Sequence, residues 1–297
     1  MDVAEIEAVH AARVRALDPL LPAPPPLAPG AGHLLAADGG AAIAWPQRGV
    51  ESDPWGPLRR HLLEVRLARP EALGDLLDQW FDLIHSSVAP GDLECAAVVE
   101  LPSRDTEGVF ALVQRGFAPV SVAAVRRSGR GSTRASDVLV RPAEPQDLAT
   151  VLDLAVAVVE YDAPFGKITP RPEAIEALRN QMTGLLAAPE PRIWVGCRDG
   201  EVLGSVYLQL PPESAWCAKY TSAPDPAYLA SMSVRADQRG SGVGSALAAH
   251  AHHVVEAAGV SMTLLHHALP NPRSTPFWYS NGYRPLWTTW LRRPIVR

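Results

Sequence analysis

The stretch Ser231-Met-Ser-Val-Arg-Ala-Asp-Gln-Arg-Gly-Ser-Gly-Val-Gly-Ser-Ala-Leu247 decides the fold of this chain. Residues 228–234 mix β-branched, aromatic and small side chains and read as a short strand. From Gly244 the period changes, and Leu247, His250 with Ala251, Val254 and Val255 recur near 3.6 residues, as on one face of a helix. Between strand and helix stands Arg239-Gly240-Ser241-Gly242-Val243-Gly244. A glycine turn that opens a helix gathers free N–H groups at the positive end of the helix dipole, which suits a pyrophosphate. Glycine supplies positive φ there and lets an anion approach the backbone. Arg239 adds a charge-assisted contact. A P-loop is excluded because no Gly-Lys-Ser/Thr follows, and the spacing is not Gly-x-Gly-x-x-Gly.

Composition narrows the classes around this turn. At 297 residues the chain has room for two ordinary domains. Apolar residues make up 47% and charged residues 20%, as in a soluble globular protein. A net charge of −5 argues against a general nucleic-acid surface, which needs a basic field. Cys95, Cys197 and Cys217 have no pairing or zinc spacing. His250 and His253 can share a helix face but have no evident third ligand, so no metal is expected. With no signal-peptide pattern at the start and no apolar run of membrane length, the expectation is a cytoplasmic protein without a membrane partner.

Taken in order, residues 2–17 have helical spacing and 18–32 are a proline-rich connector. Strands are expected at 33–37 and 41–45 around Asp38-Gly39-Gly40, at 62–67, 95–101 and 120–126, with helices at 70–88 and 106–115. After a small, polar stretch at 128–136 come a strand at 137–141, a helix from about Pro145 and a second one reaching about Ala187. Strands follow at 192–197, 202–210, 261–267 and 286–291, with a helix at 274–281. The two halves repeat each other. Leu101-Pro102, Gly116-Phe117-Ala118-Pro119 and Arg126-Arg127 are answered by Leu269-Pro270, Gly282-Tyr283-Arg284-Pro285 and Arg292-Arg293. Such an ordered set means one fold used twice. The expected division is a first domain at 1–130, a linker at 131–136 and a second domain at 137–297. Where the second copy has its glycine turn, the first has Arg69-Pro70-Glu71-Ala72-Leu73-Gly74. Pro70 removes an N–H donor and Glu71 opposes an anion, so this copy is expected to be non-catalytic.

The turn resembles motif A (Arg/Gln-x-x-Gly-x-Gly/Ala) of the GNAT acyltransferases, with Arg239, Gly242 and Gly244 on the marked positions. Residues 271–285, Asn-Pro-Arg-Ser-Thr-Pro-Phe-Trp-Tyr-Ser-Asn-Gly-Tyr-Arg-Pro, resemble motif B of the same family. The resemblance covers 137–297 and reaches 1–130 only through the repeat. It implies an α/β (α+β) fold of two tandem GNAT-like domains, each a mixed, mostly antiparallel sheet flanked by helices. It also implies acetyl-CoA as co-substrate, with pantetheine lying between the strands at 228–234 and 261–267 like an added strand.

The implied acetyl-CoA contacts are Met232, Ser233, Val234, Arg239, Gly240, Ser241, Gly242, Val243, Gly244, Ser245, Asn271, Ser274, Phe277 and Trp278. The family's usual tyrosine acid, four residues before the motif B glycine, is replaced by Trp278. Its indole N–H donates but is not a practical acid. Tyr279 stands about 100° further round the helix. Ser274 is a candidate hydrogen-bond donor to the thiolate, and equally a candidate N-cap. The central strand has no carboxylate, so Glu160 or Asp162 is expected to hold the ammonium and His266 or His267 to remove its proton, directly or through water, with strand alternation allowing one of the two histidines to face the cleft. Tyr161, Asp162 and Phe165 lie where the family binds its acceptor.

The expected activity is N-acetylation of a primary amine on a small molecule by direct transfer, in a monomer or weak dimer. The alternatives are a different acyl donor or an O-acceptor, and a CoA-binding regulatory module without turnover.

Overall fold

The computed structural model describes residues 1–28, 30–129 and 136–296. The expected linker at 131–136 lies outside them except for Ser136. In the first half, α1 (Val3–Leu17) starts at Asp2, whose carboxylate accepts the Glu5 N–H at 2.8 Å as an N-cap. The hairpin β1 (His33–Ala37) and β2 (Gly40–Arg48) turns at Gly39, which has φ +80°. Then come β3 (Arg59–Leu67), α2 (Ala72–Ile84), β4 (Cys95–Pro102), α3 (Val109–Gln114) and β5 (Ala118–Arg127). The second half runs β6 (Leu139–Pro142), α4 (Leu148–Asp162), α5 (Pro172–Leu186), β7 (Ile193–Arg198), β8 (Glu201–Gln209) and β9 (Ala227–Val234). It ends with α6 (Val243–Ala257), β10 (Met262–Ala268), α7 (Ser274–Ser280) and β11 (Arg284–Arg292).

The elements expected from sequence are present, with shifted ends. The helix expected to reach Val88 stops at Ile84, and β3 begins at Arg59 rather than Leu62. The long loop before β9 contains a 3-10 helix, Glu213–Tyr220.

All eleven strands join one sheet in the order β1-β2-β3-β4-β11-β5-β10-β9-β8-β7-β6. It is mixed but mostly antiparallel: β3 with β4 and β9 with β10 are the parallel pairs. Read from the centre outward, the two wings match strand for strand, except that β6 has no counterpart. Each half gives its last strand to the other: β5 pairs with β10 and β11 pairs with β4. At the centre β5 and β11 pair with each other, with Pro119 opposite Trp290 and Pro285 opposite Ala124. The sequence repeat makes Pro119 correspond to Pro285, so it carries one of these pairs onto the other. Corresponding residues Val122 and Thr288 face each other, which sets the pseudo-twofold axis between them.

The same helix packs on each wing. Helix α2 lays Leu73, Leu76, Leu77 and Trp80, all fully buried, against β1, β2 and β3. Helix α6 does the same with Val243, Leu247, Ala251 and Val255. This burial of an amphipathic stripe is what holds a helix of this length in place. The halves are also pinned by the buried Asp18 carboxylate, which accepts two bonds from the Arg284 guanidinium of β11.

Candidate active site

A fork in the sheet makes the site. β9 and β10 pair only at Ala227 with Thr263 and Tyr228 with Leu264, and then separate. An irregularity in β9 accompanies the split. Tyr207 pairs with Ser231 and Leu208 with Leu229, which leaves Ala230 as an extra residue that bends the strand. Beyond it, Met232, Ser233 and Val234 pair with β8 on one side. On the other they line a cavity of about 1180 Å³, so the fork-facing edge of β9 keeps its polar groups for a ligand.

The glycine turn lies at one end of this cavity. Gly240 has φ +80° and Gly242 φ +91°, and a Cβ at either would meet nothing within 4 Å. These glycines therefore serve conformation and leave space beside the backbone. Gly242 is the N-cap of α6, whose first turn is closed by the Ala246 N–H on the Gly242 carbonyl at 3.0 Å. The N–H groups of Val243, Gly244 and Ser245 have no acceptor inside the helix and mark its positive end. Gly240, Gly242, Gly244 and Ser245 line the cavity; Val243 instead turns its side chain into the core, at 1% exposure. Arg239 is exposed, with its guanidinium 5.1 Å from the ring centre of Tyr161, and Arg273 stands at the same distance. Tyr161 thus has two guanidinium groups on its ring beside the glycine turn. Phe165 packs edge-on behind it and does not reach the cavity wall.

Asp162 anchors the motif B segment. Its Oδ1 accepts from Asn271 Nδ2 at 2.8 Å, and Asn271 Oδ1 accepts the N–H groups of Arg273 and Ser274 at 2.9 and 3.0 Å. Burial raises the Asp162 pKa, and the bond from Asn271 opposes that. Asn271 is therefore the cap of α7, and Ser274 is not. The Ser274 hydroxyl is buried without a hydrogen-bond partner, in a residue that lines the cavity. Trp278 is 6% exposed and packs edge-to-face on Phe277 and Tyr283, as a core residue with one edge on the cavity.

Past the fork the cavity crosses β10. His266 lines it, with Nδ1 3.0 Å from the Tyr228 hydroxyl and the rings of Trp216 and Tyr220 around it. Burial, aided by Lys167 and Lys219, lowers the His266 pKa to about 3, so its imidazole is neutral. His267 touches the cavity too but is 5% exposed, and its Nδ1 lies 3.3 Å from the Thr275 hydroxyl. Glu160 is exposed and outside the cavity wall, one helical step of about 100° from Tyr161. Tyr279 is also outside, 36% exposed, with its ring against His267.

Sequence reasoning missed one wall entirely. Trp55, Arg60, Val120 and Ser121 of the first half, with Lys167, close the far end of the cavity. The 163–171 loop that carries Lys167 is fastened to that half. Thr169 N–H donates to the Pro54 carbonyl at 2.9 Å, and Arg171 bonds the Asp53 carbonyl at 2.8 Å and the Glu94 carboxylate at 2.6 Å. Among the described residues no group of three or more His, Cys, Asp or Glu can hold a metal ion, and no helix is long and apolar enough to cross a membrane.

Comparisons agree with this geometry. The model of the Acetyltransferase (GNAT) family matches residues 158–283. No curated protein matches the chain significantly. A GCN5-related N-acetyltransferase from Sphaerobacter thermophilus is similar in structure, 15% identical with a TM-score of 0.57, over 86% of this chain and 76% of that one. The glucosamine N-acetyltransferase region of a fungal multi-domain GH3 β-N-acetylglucosaminidase gives 12% and 0.51, over 85% of this chain and 31% of that one. A tandem GNAT protein from the clavulanic acid biosynthesis pathway gives 12% and 0.48, over 97% and 94%. At such identities the likeness is one of fold, and the family match supplies the rest. Residues 158–283, in the second half of the chain, match the acetyltransferase (GNAT) family, and the fold around them is similar to that of solved GNAT enzymes.

Proposed function

We propose that the chain is an acetyl-CoA-dependent N-acetyltransferase acting by direct transfer on a primary amine of a small molecule. The observation that carries this reading is continuity: one cavity joins the anion turn, the forked strand edge, the free Ser274 hydroxyl and the His266–Tyr228 pair. A donor-rich helix start suits the pyrophosphate, and the unpaired edge of β9 suits the amide chain of pantetheine. When bound, acetyl-CoA supplies an activated acyl group whose carbonyl gains negative charge under attack. Backbone N–H groups of β9 near Val234 are placed to stabilise that charge, and Ser274 to donate to the leaving sulfur. An alkyl ammonium, with a pKa of about 10.4, must lose a proton before it can attack. In this reading the amine loses that proton to solvent, and the neutral His266 accepts a hydrogen bond from the free amine. Buried at so low a pKa, it orients the amine better than it stores the proton. Asp162 keeps a positioning role through Asn271, and Glu160 and Tyr279 have none.

We read residues 1–130 as a degenerate copy of the same unit. Pro70 and Glu71 stand at the start of α2 where the second copy has its turn, and they leave no second acetyl-CoA site. Thiol release measured over a panel of amines tests the proposal. Release that depends on an amine and yields its N-acetyl product supports it. Tight acetyl-CoA binding with no release under any amine makes the chain a CoA-binding module instead.

A further inference from the structure

The far end of the cavity has a charge pattern that the proposed reaction leaves unused. Lys167 Nζ donates to Ser121 Oγ at 3.5 Å, a long bond that leaves two of its three N–H groups unspent. Arg60 lines the same wall, and its Nε is buried without a partner. Among the described residues, neither cation has a carboxylate within ion-pair distance. The nearby acids do not close the gap. Glu100 accepts from Thr289 Oγ1 at 3.2 Å; burial raises its pKa and Lys167 opposes this, while burial lowers the Lys167 pKa and Glu100 opposes that, so the two interact without forming an ion pair. Asp53 caps the Trp55 N–H at 2.9 Å. Lys219 is exposed and sits over the Tyr220 ring. Two basic side chains that line one cavity wall, each with N–H groups left over and no ion-pair partner, are completed by a ligand that brings an anionic group.

The register places them relative to the reaction. Ser121 pairs with Ala268 of β10, two residues beyond His266, so Lys167 meets the sheet at the strand next to β10. Arg60 lies on β3, further from the fork across β5, β11 and β4. An acceptor whose amine meets His266 therefore extends its other end toward Lys167 and then Arg60.

We propose that the acceptor is an amine that carries an anionic group, a carboxylate or phosphate, several bonds from its nitrogen, and that Lys167 and Arg60 bind this group. The inference rests on the acyl-transfer reading of the same cavity. It also makes the first half part of the acceptor site, through Arg60, Ser121 and Trp55.

The test compares 5-aminopentanoate with its neutral amide and with pentylamine, and 4-aminobutyl phosphate with butylamine, all on the full chain. The anionic member of each series is expected to show kcat/KM about tenfold to a hundredfold higher, the range of a charge-assisted bond. Lys167→Met should bring the ratio of acid to amide close to one, Lys167→Arg should restore most of it, and Arg60→Gln should reduce it. Acetyl-CoA affinity, measured on each variant, reports whether it has folded. If the carboxylate alone is preferred, or the phosphate alone, that identifies the group. Neutral amines turned over as well as their anionic partners would overturn the proposal while leaving acyl transfer standing. With no amine-dependent release at all, the acyl-transfer reading fails instead. The anchor is then judged by calorimetry of 5-aminopentanoate on the acetyl-CoA-bound chain, where Lys167-dependent binding supports it and no binding overturns it.

Discussion

Ser274→Ala separates a catalytic hydroxyl from a helix cap. An N-cap serine replaced by alanine costs about 1 kcal/mol of stability, because a helical N–H loses its acceptor. Here the Arg273 and Ser274 N–H groups already bond Asn271 Oδ1, and Ser274 Oγ is buried with no partner. Removing an unsatisfied buried hydroxyl gives back part of its desolvation cost, so the variant should be as stable as the parent or up to ~1 kcal/mol more stable. For a chain of this size that is a rise of no more than a few degrees in Tm. The rate should move the other way. A hydrogen bond to the departing thiolate is worth about 1.5–3 kcal/mol, which predicts a kcat lower by roughly tenfold to a hundredfold with little change in acetyl-CoA affinity. Thermal melts, steady-state kinetics and calorimetry on one preparation measure all three. A variant that melts lower and keeps its kcat would refute the reasoning, since that is how a cap behaves. Asn271→Ala is the control: it should lose about 0.5–2 kcal/mol as the true cap.

Other outcomes follow from the fold and the buried groups. A fragment of residues 137–297 lacks β5 and leaves β10 and β11 without the strand between them, so it should aggregate; a soluble, monomeric fragment that binds acetyl-CoA would contradict this. Asp18→Asn should cost about 1 kcal/mol, because the Arg284 guanidinium it leaves without a counter-charge is 36% exposed and partly solvated, and denaturant melts read this directly. Burial lowers the pKa of His10 to about 4 and those of His252 and His266 to about 3. The unfolded chain therefore binds protons below about pH 6.5 that the folded chain refuses, and stability present above that pH is lost as pH falls toward these values. Melts between pH 7 and 4 should show a steady drop, and a flat profile would mean these histidines are not buried neutral. For the same reason kcat/KM should rise with pH toward the pKa of the amine with no inflection near 6.5 from His266.

Much of this architecture can be read from the sequence because its signals are local. The glycine turn, each matching segment of the repeat and the period change at Gly244 lie within a few residues, and they mark the turn that opens α6 and the doubled fold. The exchange of last strands is different. It depends on which edge β5 and β11 meet in the folded sheet, and no local pattern encodes a partner well over a hundred residues away. Helix ends are equally hard to aim: Glu160 and Tyr161 are neighbours, yet one faces solvent and the other the cavity. Trp216 and Tyr220 were hidden in a segment that reads as a loop and folds as a 3-10 helix. Lys167 and Arg60 have no sequence signal at all, because they gain meaning only from a shared wall.

The most direct test of the central claim is calorimetric titration of acetyl-CoA into the full chain and into Gly242→Asp. Gly242 has φ +91° and open space around it, so an aspartate there costs about 1–2 kcal/mol of backbone strain without a clash, and the chain should still fold. The carboxylate would stand where the pyrophosphate binds. The account predicts one acetyl-CoA per parent chain and no measurable binding to the folded variant. Two per chain, or unchanged affinity in the variant, would contradict it.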